Sequence, residues 1–381
     1  MEPSELLNII ARDEDSTHQF KANVRNETSL AQEMIAFSNT LGGMIIIGAS
    51  DDGTISGLRR EDMGRLSNLV SNAASQQVRP PINPITENIA LDDGLVMVVH
   101  IQAGISKPYM DKDGVIWVKS GADKRKATAR EEIQRMYQSA GLLHGDEIPV
   151  PTMPLQHIDM PSFSAFYEQQ YEEPWDEASL PLNPLMNNLN LARDGVLNIA
   201  GALLFGKNTA FTLPAFIVKC VRYPDTDIDV DEYLDSQDMS GTLKHVFDDT
   251  LGFVLRNIRR VQHGQGVNSL GKLAVPKIVF EEIIANALIH RDYFISAPIR
   301  IFIFSDRIEI ISPGHLPNHL TIENIKCGNS NIRNPILASF ATKILPYRGL
   351  GSGIRRALNA YDAIEFIEDR DANSFKVVIS T

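Results

Sequence analysis

The segment KIVFEEIIANALIHRDYF, residues 277–294, constrains the fold more than any other stretch of the chain. A helix of about 3.6 residues per turn puts Phe280, Ile283, Ile284, Ala287 and Leu288 on one broad face, which other elements must cover. The neighbouring stripe carries Glu282, Asn286 and His290, polar groups spaced one turn apart. A stripe that is solvated, or hydrogen-bonded to a nearby loop, satisfies this pattern. So does a site: an amide oxygen is a hard ligand suited to magnesium, and a carboxylate one turn earlier can take a proton from an attacking water.

The residues that follow narrow the choice. PIRIFIFSDRIEIISPGHLP (298–317) reads as a hairpin turned at Ser305-Asp306-Arg307 and ended by a Pro-Gly break. AIEFIEDRDANSFKVVIST (363–381) reads as a second hairpin. Between them lies RGLGSGIRRALNAY (348–361), where Gly349, Gly351 and Gly353 directly precede a helix. Such a turn can cap a helix, and it can also expose backbone N–H groups to phosphate oxygens. Residues 271–381 are therefore expected to form a helix-on-sheet sandwich.

Residues 1–145 read as a compact α+β domain. The amphipathic helix TSLAQEMIAFSNTLGG (28–43) closes on a glycine pair, then come the strand MIIIGAS, a DDG turn, and strands in GLVMVVHIQ (94–102) and GVIWVKSG (114–121). Thr128 and Glu131 have capping-box spacing for a further helix. The stretch IPVPTMPLQHIDMP (148–161) reads as a Pro-rich linker, assigned to residues 146–162. A middle connecting region, 163–270, is expected to hold strands in ALLFG and AFIVKCVRY and the helix SGTLKHVFDDTLGFVLRNIRR. The whole is a multidomain α+β chain.

With 381 residues the chain can support two or three cores. No run reaches the roughly 18 apolar residues that a membrane span needs, and the N-terminus lacks a signal-peptide layout, so the expected location is the cytoplasm. Two cysteines, Cys220 and Cys327, make neither a disulfide framework nor a thiolate metal site. A net charge of −12 argues against a grip on nucleic acid by the whole surface and leaves room for a local patch. Lys119, Lys124, Arg125, Lys126 and Arg130, with Lys21, are the candidates for phosphate contact, and Trp117 beside them can pack in the core or stack on a base. No GxxxxGK[ST] stretch occurs, which excludes a P-loop motor.

NALIHRDY, DRIEIISPGHLP, SNIRNP and RGLGSGI together resemble the RecG-like C-terminal ATP-binding domain, a branch of the GHKL ATPase superfamily. The resemblance implies ATP with Mg²⁺ in a helix-on-mixed-sheet sandwich. It makes Asn286 the magnesium ligand, Glu282 the candidate general base and Gly349, Gly351 and Gly353 the phosphate lid. Gly314 falls in the adenine-side loop, where Ser312 stands near the slot of the superfamily's aspartate; Arg291 is a further phosphate-contact candidate.

The run EDSTHQFKANVRNETSLAQEMIAFSNTLGGMIIIGASDDGTISGL is similar to the Schlafen AlbA-type domain, implying an α/β nucleic-acid-binding module, DNA more than RNA. Relatives with nuclease activity use three carboxylates. Here Glu14 matches the first, Gln19 stands at the second, and Asp51 or Asp52 supplies the third or simply builds a hairpin turn. The combined expectation is a homo-oligomeric, ATP-binding transcription regulator with at most weak ATPase activity. Its alternatives are a metal-dependent nuclease and a nucleotide-independent scaffold.

Overall fold

The computed structural model describes residues 1–177, 180–228, 232–261, 271–317 and 320–381. They form an α+β chain that divides into two compact units at Leu143/His144.

In the first unit, strands His18–Lys21, Gly42–Ile47, Gly94–Gln102 and Ile85–Leu91 lie side by side in that order. The first pair is parallel and the other two are antiparallel. Alternation along the strands sends Ile45, Ile47, Met97 and Val99 to the face covered by helices Glu27–Asn39 and Asp62–Asn72. Phe20, Ile46, Val96 and Val98 go to the opposite face, under helix Pro3–Ile10. Both faces are buried, which is why MIII and VMVV read as unbroken apolar runs. Asn26 caps the Glu27–Asn39 helix, accepting from the Thr28 and Ser29 N–H groups at 3.0 and 3.2 Å. The capping box expected from Thr128 and Glu131 does not form: helix Arg130–Ser139 starts after Ala129, and no side chain caps it.

The second unit is built on a six-stranded sheet. Its order is Asp235–Met239, Val218–Arg222, Ile299–Ile303, Arg307–Pro313, Ser374–Ser380, Ile364–Asp369. Every neighbouring pair is antiparallel except Val218–Arg222 with Ile299–Ile303. Helix Lys277–His290 packs between helices Leu243–Asn257 and Gly353–Ala360, and it also contacts strand Arg307–Pro313.

Three expectations for the connecting residues fail here. The stretch 163–270 is not a separate region, because its strands complete the six-stranded sheet and one apolar core runs from Val150 to Ile379; the boundary placed near 270 itself falls beside residues 262–270, outside those described. The Pro-rich segment is not a linker: Pro149–Pro154 is an edge strand of a three-stranded sheet, with Val150 and Met153 buried. An edge strand tolerates proline because only one side of it must donate. ALLFG is the end of helix Ile199–Phe205, not a strand. The Asn198 side chain caps that helix through the Gly201 N–H at 2.8 Å, and Ala and Leu favour it.

Among the described residues no helix is long and apolar enough to cross a membrane.

Candidate functional site

Helix Lys277–His290 buries Val279, Phe280, Ile283, Ile284, Leu288 and Ile289 among its neighbours. Its polar stripe, Glu282, Asn286 and His290, forms one wall of a cleft enclosing about 990 Å³ of space open in part to solvent. Ile310 and Ser312 of strand Arg307–Pro313, the loop from Gly314, and the glycine turn from Arg348 to Gly353 complete the walls. The structure thus brings Glu282, Asn286, Ser312, Gly314, Gly349, Gly351 and Gly353 to one cavity.

Glu282 is 1% exposed. Burial pushes its carboxyl above the usual range and the neighbouring Glu281 adds to this, while Arg356 and Arg348 pull the other way. Arg356 Nη2, reaching back from the Gly353–Ala360 helix, stands 2.5 Å from Glu282 Oε1. The Asn286 amide nitrogen donates to the Glu282 backbone carbonyl at 2.6 Å, so its oxygen is the end left for a ligand. A single amide oxygen fits magnesium, which takes few protein ligands and fills its shell with phosphates and water.

The glycines have distinct reasons to be there. Gly349 and Gly351 hold φ near +67° and +68°, the left-handed region, and a Cβ on Gly351 would collide with the Gly328 carbonyl. Gly353 has ordinary backbone, but a Cβ there would lie 2.5 Å from Glu282 Oε2 and 3.0 Å from Asn286 Nδ2. Its bare backbone lets the start of the last helix close down on the polar stripe.

His290, on the cleft wall, meets the Tyr347 hydroxyl at 3.1 Å, and burial with the nearby Arg333 cation lowers its pKa to about 4. It is a neutral imidazole at pH 7. The Ser312 hydroxyl donates to the Ala287 carbonyl at 3.4 Å. Arg291 does not reach the cavity. It is 2% exposed, donates to the Ile295 and Ala297 carbonyls at 3.0 and 2.6 Å, and stacks against Phe216 and Tyr293. Its guanidinium clamps the chain beyond the helix, so the phosphate role expected of it has no support in its placement. The cations that line the cleft are Arg348 and Arg356, which sequence reasoning missed. Helical period carried the signal for Arg356, since the position three after Gly353 faces the preceding helix.

In the first unit, Glu14 Oε1 accepts from Gln19 Nε2 at 2.5 Å and from the Phe20 N–H at 2.6 Å. Gln19 Oε1 in turn accepts from Lys119 Nζ at 2.8 Å, and Lys119 also donates to the Ala122 carbonyl and lies over the Phe37 ring. Burial lowers the Lys119 pKa, with Glu33 and Glu14 opposing. Lys21 lies 3.9 Å from Glu14 and 3.7 Å from Asp51. Asp52 accepts from the Thr54 N–H at 2.9 Å, closing the turn. Ammonium groups thus stand where a nuclease would gather cations, and among the described residues no three acidic, His or Cys side chains converge.

The basic patch is largely self-neutralised. Lys124 pairs with buried Glu33 at 2.6 Å, Arg125 holds Glu132 through two bonds of 3.0 and 2.8 Å, and Arg130 meets Glu131 at 3.2 Å. Lys126 sits 5.5 Å from the centre of the Trp117 ring.

Residues 14–128 match the family model for Schlafen, AlbA_2. Residues 296–379 match the model described as "Putative ATP-dependent DNA helicase recG C-terminal", which takes in the glycine turn and begins just after the Glu282–Asn286 helix. Among solved structures, the DIP2311 protein from Corynebacterium diphtheriae is 20% identical over 99% of this chain and 79% of that one, with a TM-score of 0.46. The N-terminal domain of a "Putative ATP-dependent DNA Helicase RecG-related Protein" from Nitrosomonas europaea is 16% identical over 34% of this chain and 96% of that one, with a TM-score of 0.24. No curated protein matches the chain. The chain therefore pairs similarity to Schlafen AlbA_2 in its first unit with similarity to the RecG C-terminal ATPase type in its second.

Proposed function

We propose that the protein is a nucleic-acid-binding regulator controlled by a nucleotide in its second unit. The two family matches support the pairing of activities. The observation that carries the nucleotide half is the cleft itself, where an amide and a buried carboxylate on one helix face a glycine turn at the start of another. Backbone N–H groups of the turn carrying Gly349, Gly351 and Gly353, at the start of a helix, would meet the phosphates. Asn286 would hold Mg²⁺, which would neutralise charge on the phosphates. Ser312, a neutral partner, would meet the base more weakly than a carboxylate does.

While Arg356 holds it, the Glu282 carboxylate is not free to take a proton from water. Nucleic acid would be met by the first unit's exposed cations, Arg125, Lys126 and Arg130, whose partners are weak surface ones. Nucleotide would shift the population of states that bind DNA or self-associate by its differential affinity for them.

Calorimetry with ATP, ADP and GTP, with and without magnesium, tests the reading. Wild type should bind ATP more tightly with magnesium, and Asn286→Ala should lose about tenfold or more, on the order of 1.4 kcal/mol. Absence of ATP binding by wild type would remove the nucleotide half altogether.

A further inference from the structure

The Glu282–Arg356 contact has features that a plain structural ion pair lacks. Glu282 is almost fully buried, whereas the Arg356 side chain keeps 27% of its surface exposed and lines the cleft. At 2.5 Å the charges are close, yet neither Glu282 Oε1 nor Arg356 Nε completes a directional hydrogen bond. A guanidinium has five donors in a fixed fork, and this one leaves Nε unused in a buried setting. The carboxylate and the guanidinium arrive on two different helices, and the glycine turn leads directly into the helix that carries Arg356.

We infer that Arg356 is the cleft's phosphate-binding cation, and that its pairing with Glu282 is a resting latch which a polyphosphate opens by competing for the guanidinium. The inference rests on the nucleotide reading above and assigns its regulation. Phosphate oxygens accept the fork in bidentate fashion, and a triphosphate carries several negative charges against the single one of Glu282. Arg348, exposed on the same rim, adds to the positive field.

Opening the latch has a consequence for Glu282. A carboxylate buried to this degree cannot stay uncompensated when its cation leaves. The pair therefore opens only to a ligand that carries more charge than the single one Arg356 gives up.

The test is a double-mutant cycle on the full chain, read by calorimetry with ATP and, as a probe of the phosphate chain alone, tripolyphosphate. Glu282→Gln keeps the shape and frees Arg356, so it should tighten both ligands by about tenfold. Arg356→Gln should weaken both by about tenfold or more. In the Arg356→Gln background, Glu282→Gln should gain less than about twofold, because the released guanidinium is no longer there. A tenfold gain persisting in that background would assign it to the loss of a negative charge and overturn the latch. So would Arg356→Gln binding as tightly as wild type with an unchanged melting temperature. If Arg356→Gln does not fold, Arg356→Lys keeps a cation for Glu282 without the fork, and wild-type affinity in that variant overturns the proposal. Wild type that binds ATP with an additive cycle removes this inference alone, whereas wild type that binds no nucleotide removes the function with it.

Discussion

Each unit contains a buried glutamate paired with a basic side chain from another element, and the two pairs differ in what surrounds them. Glu33 and Lys124 are both well covered, at 7% and 19% side-chain exposure, and Glu33 also acts electrostatically on Lys119, which is tied to Gln19 and the Ala122 carbonyl. Glu282 and Arg356 stand at the wall of a cleft, with a glycine turn overhead. The first pair gives up its charges to the fold, and the second keeps a partly exposed cation where a ligand can reach it. A run of lysines and arginines in sequence is therefore a poor guide to a binding surface until the partners are known.

The comparison breaks first at Lys124. Lys124→Met strands Glu33, and the first unit should lose about 3 kcal/mol, measured by denaturant unfolding. Glu33→Leu in the same background should recover most of it. A loss below about 1 kcal/mol would show that the pair behaves like a surface one.

A buried acid with no ion pair among the described residues sharpens the contrast. Asp146 accepts from the Leu337 N–H at 2.9 Å, its other oxygen has no partner, and burial raises its pKa from 3.8 to about 6. The folded state then holds the proton more tightly than the unfolded one, so stability contributed at low pH is lost as pH rises from about 4 to 6. His290 acts oppositely: its folded pKa is lowered from 6.5 to about 4, so its contribution is complete above pH 6.5 and is lost as pH falls toward 4. The two slopes offset one another in wild type. Asp146→Asn should raise stability at pH 8 by about 2–3 kcal/mol and uncover the His290 slope in a pH series of melting curves. A variant with the wild-type profile would contradict the assignment.

At the glycine turn the expected effect is smaller. Gly351→Ala puts a side chain at positive φ against the Gly328 carbonyl. It should cost about 1–2 kcal/mol and weaken ATP about tenfold or more. Unchanged affinity would dissociate the turn from the phosphates.

The smallest effects are due at the exposed cations. Arg125→Ala and Arg130→Ala should each cost under about 1 kcal/mol of stability. If these side chains meet phosphates, each should lower the salt slope of DNA binding by about 1, read by fluorescence anisotropy across salt concentrations. No change in slope would move the nucleic-acid surface elsewhere.

Much of this architecture was legible in the residues. The 3.6-residue period placed Glu282, Asn286 and His290 on one stripe, and that stripe lines the cleft. Long apolar runs marked Gly42–Ile47 and Gly94–Gln102 because both faces of their sheet are covered. Arg291 misled because a guanidinium near an expected phosphate site reads as a ligand, whereas here a few backbone carbonyls claim it. Pro149–Pro154 misled because proline content reads as a break, and only its place at a sheet edge makes it a strand.

By itself, the sequence determined the local periods, the turns that need glycine and the chemistry available along each helix, because those depend on neighbours within a turn or two. Tertiary structure alone decided which charges remain for a ligand. Lys124 meets Glu33 across 91 residues, Lys119 meets Gln19 across 100, and the parallel partner of Val218–Arg222 is reached only after a long crossover. A charge is spent or spared by whatever the fold brings within a few ångströms of it, and local pattern carries no record of that distance.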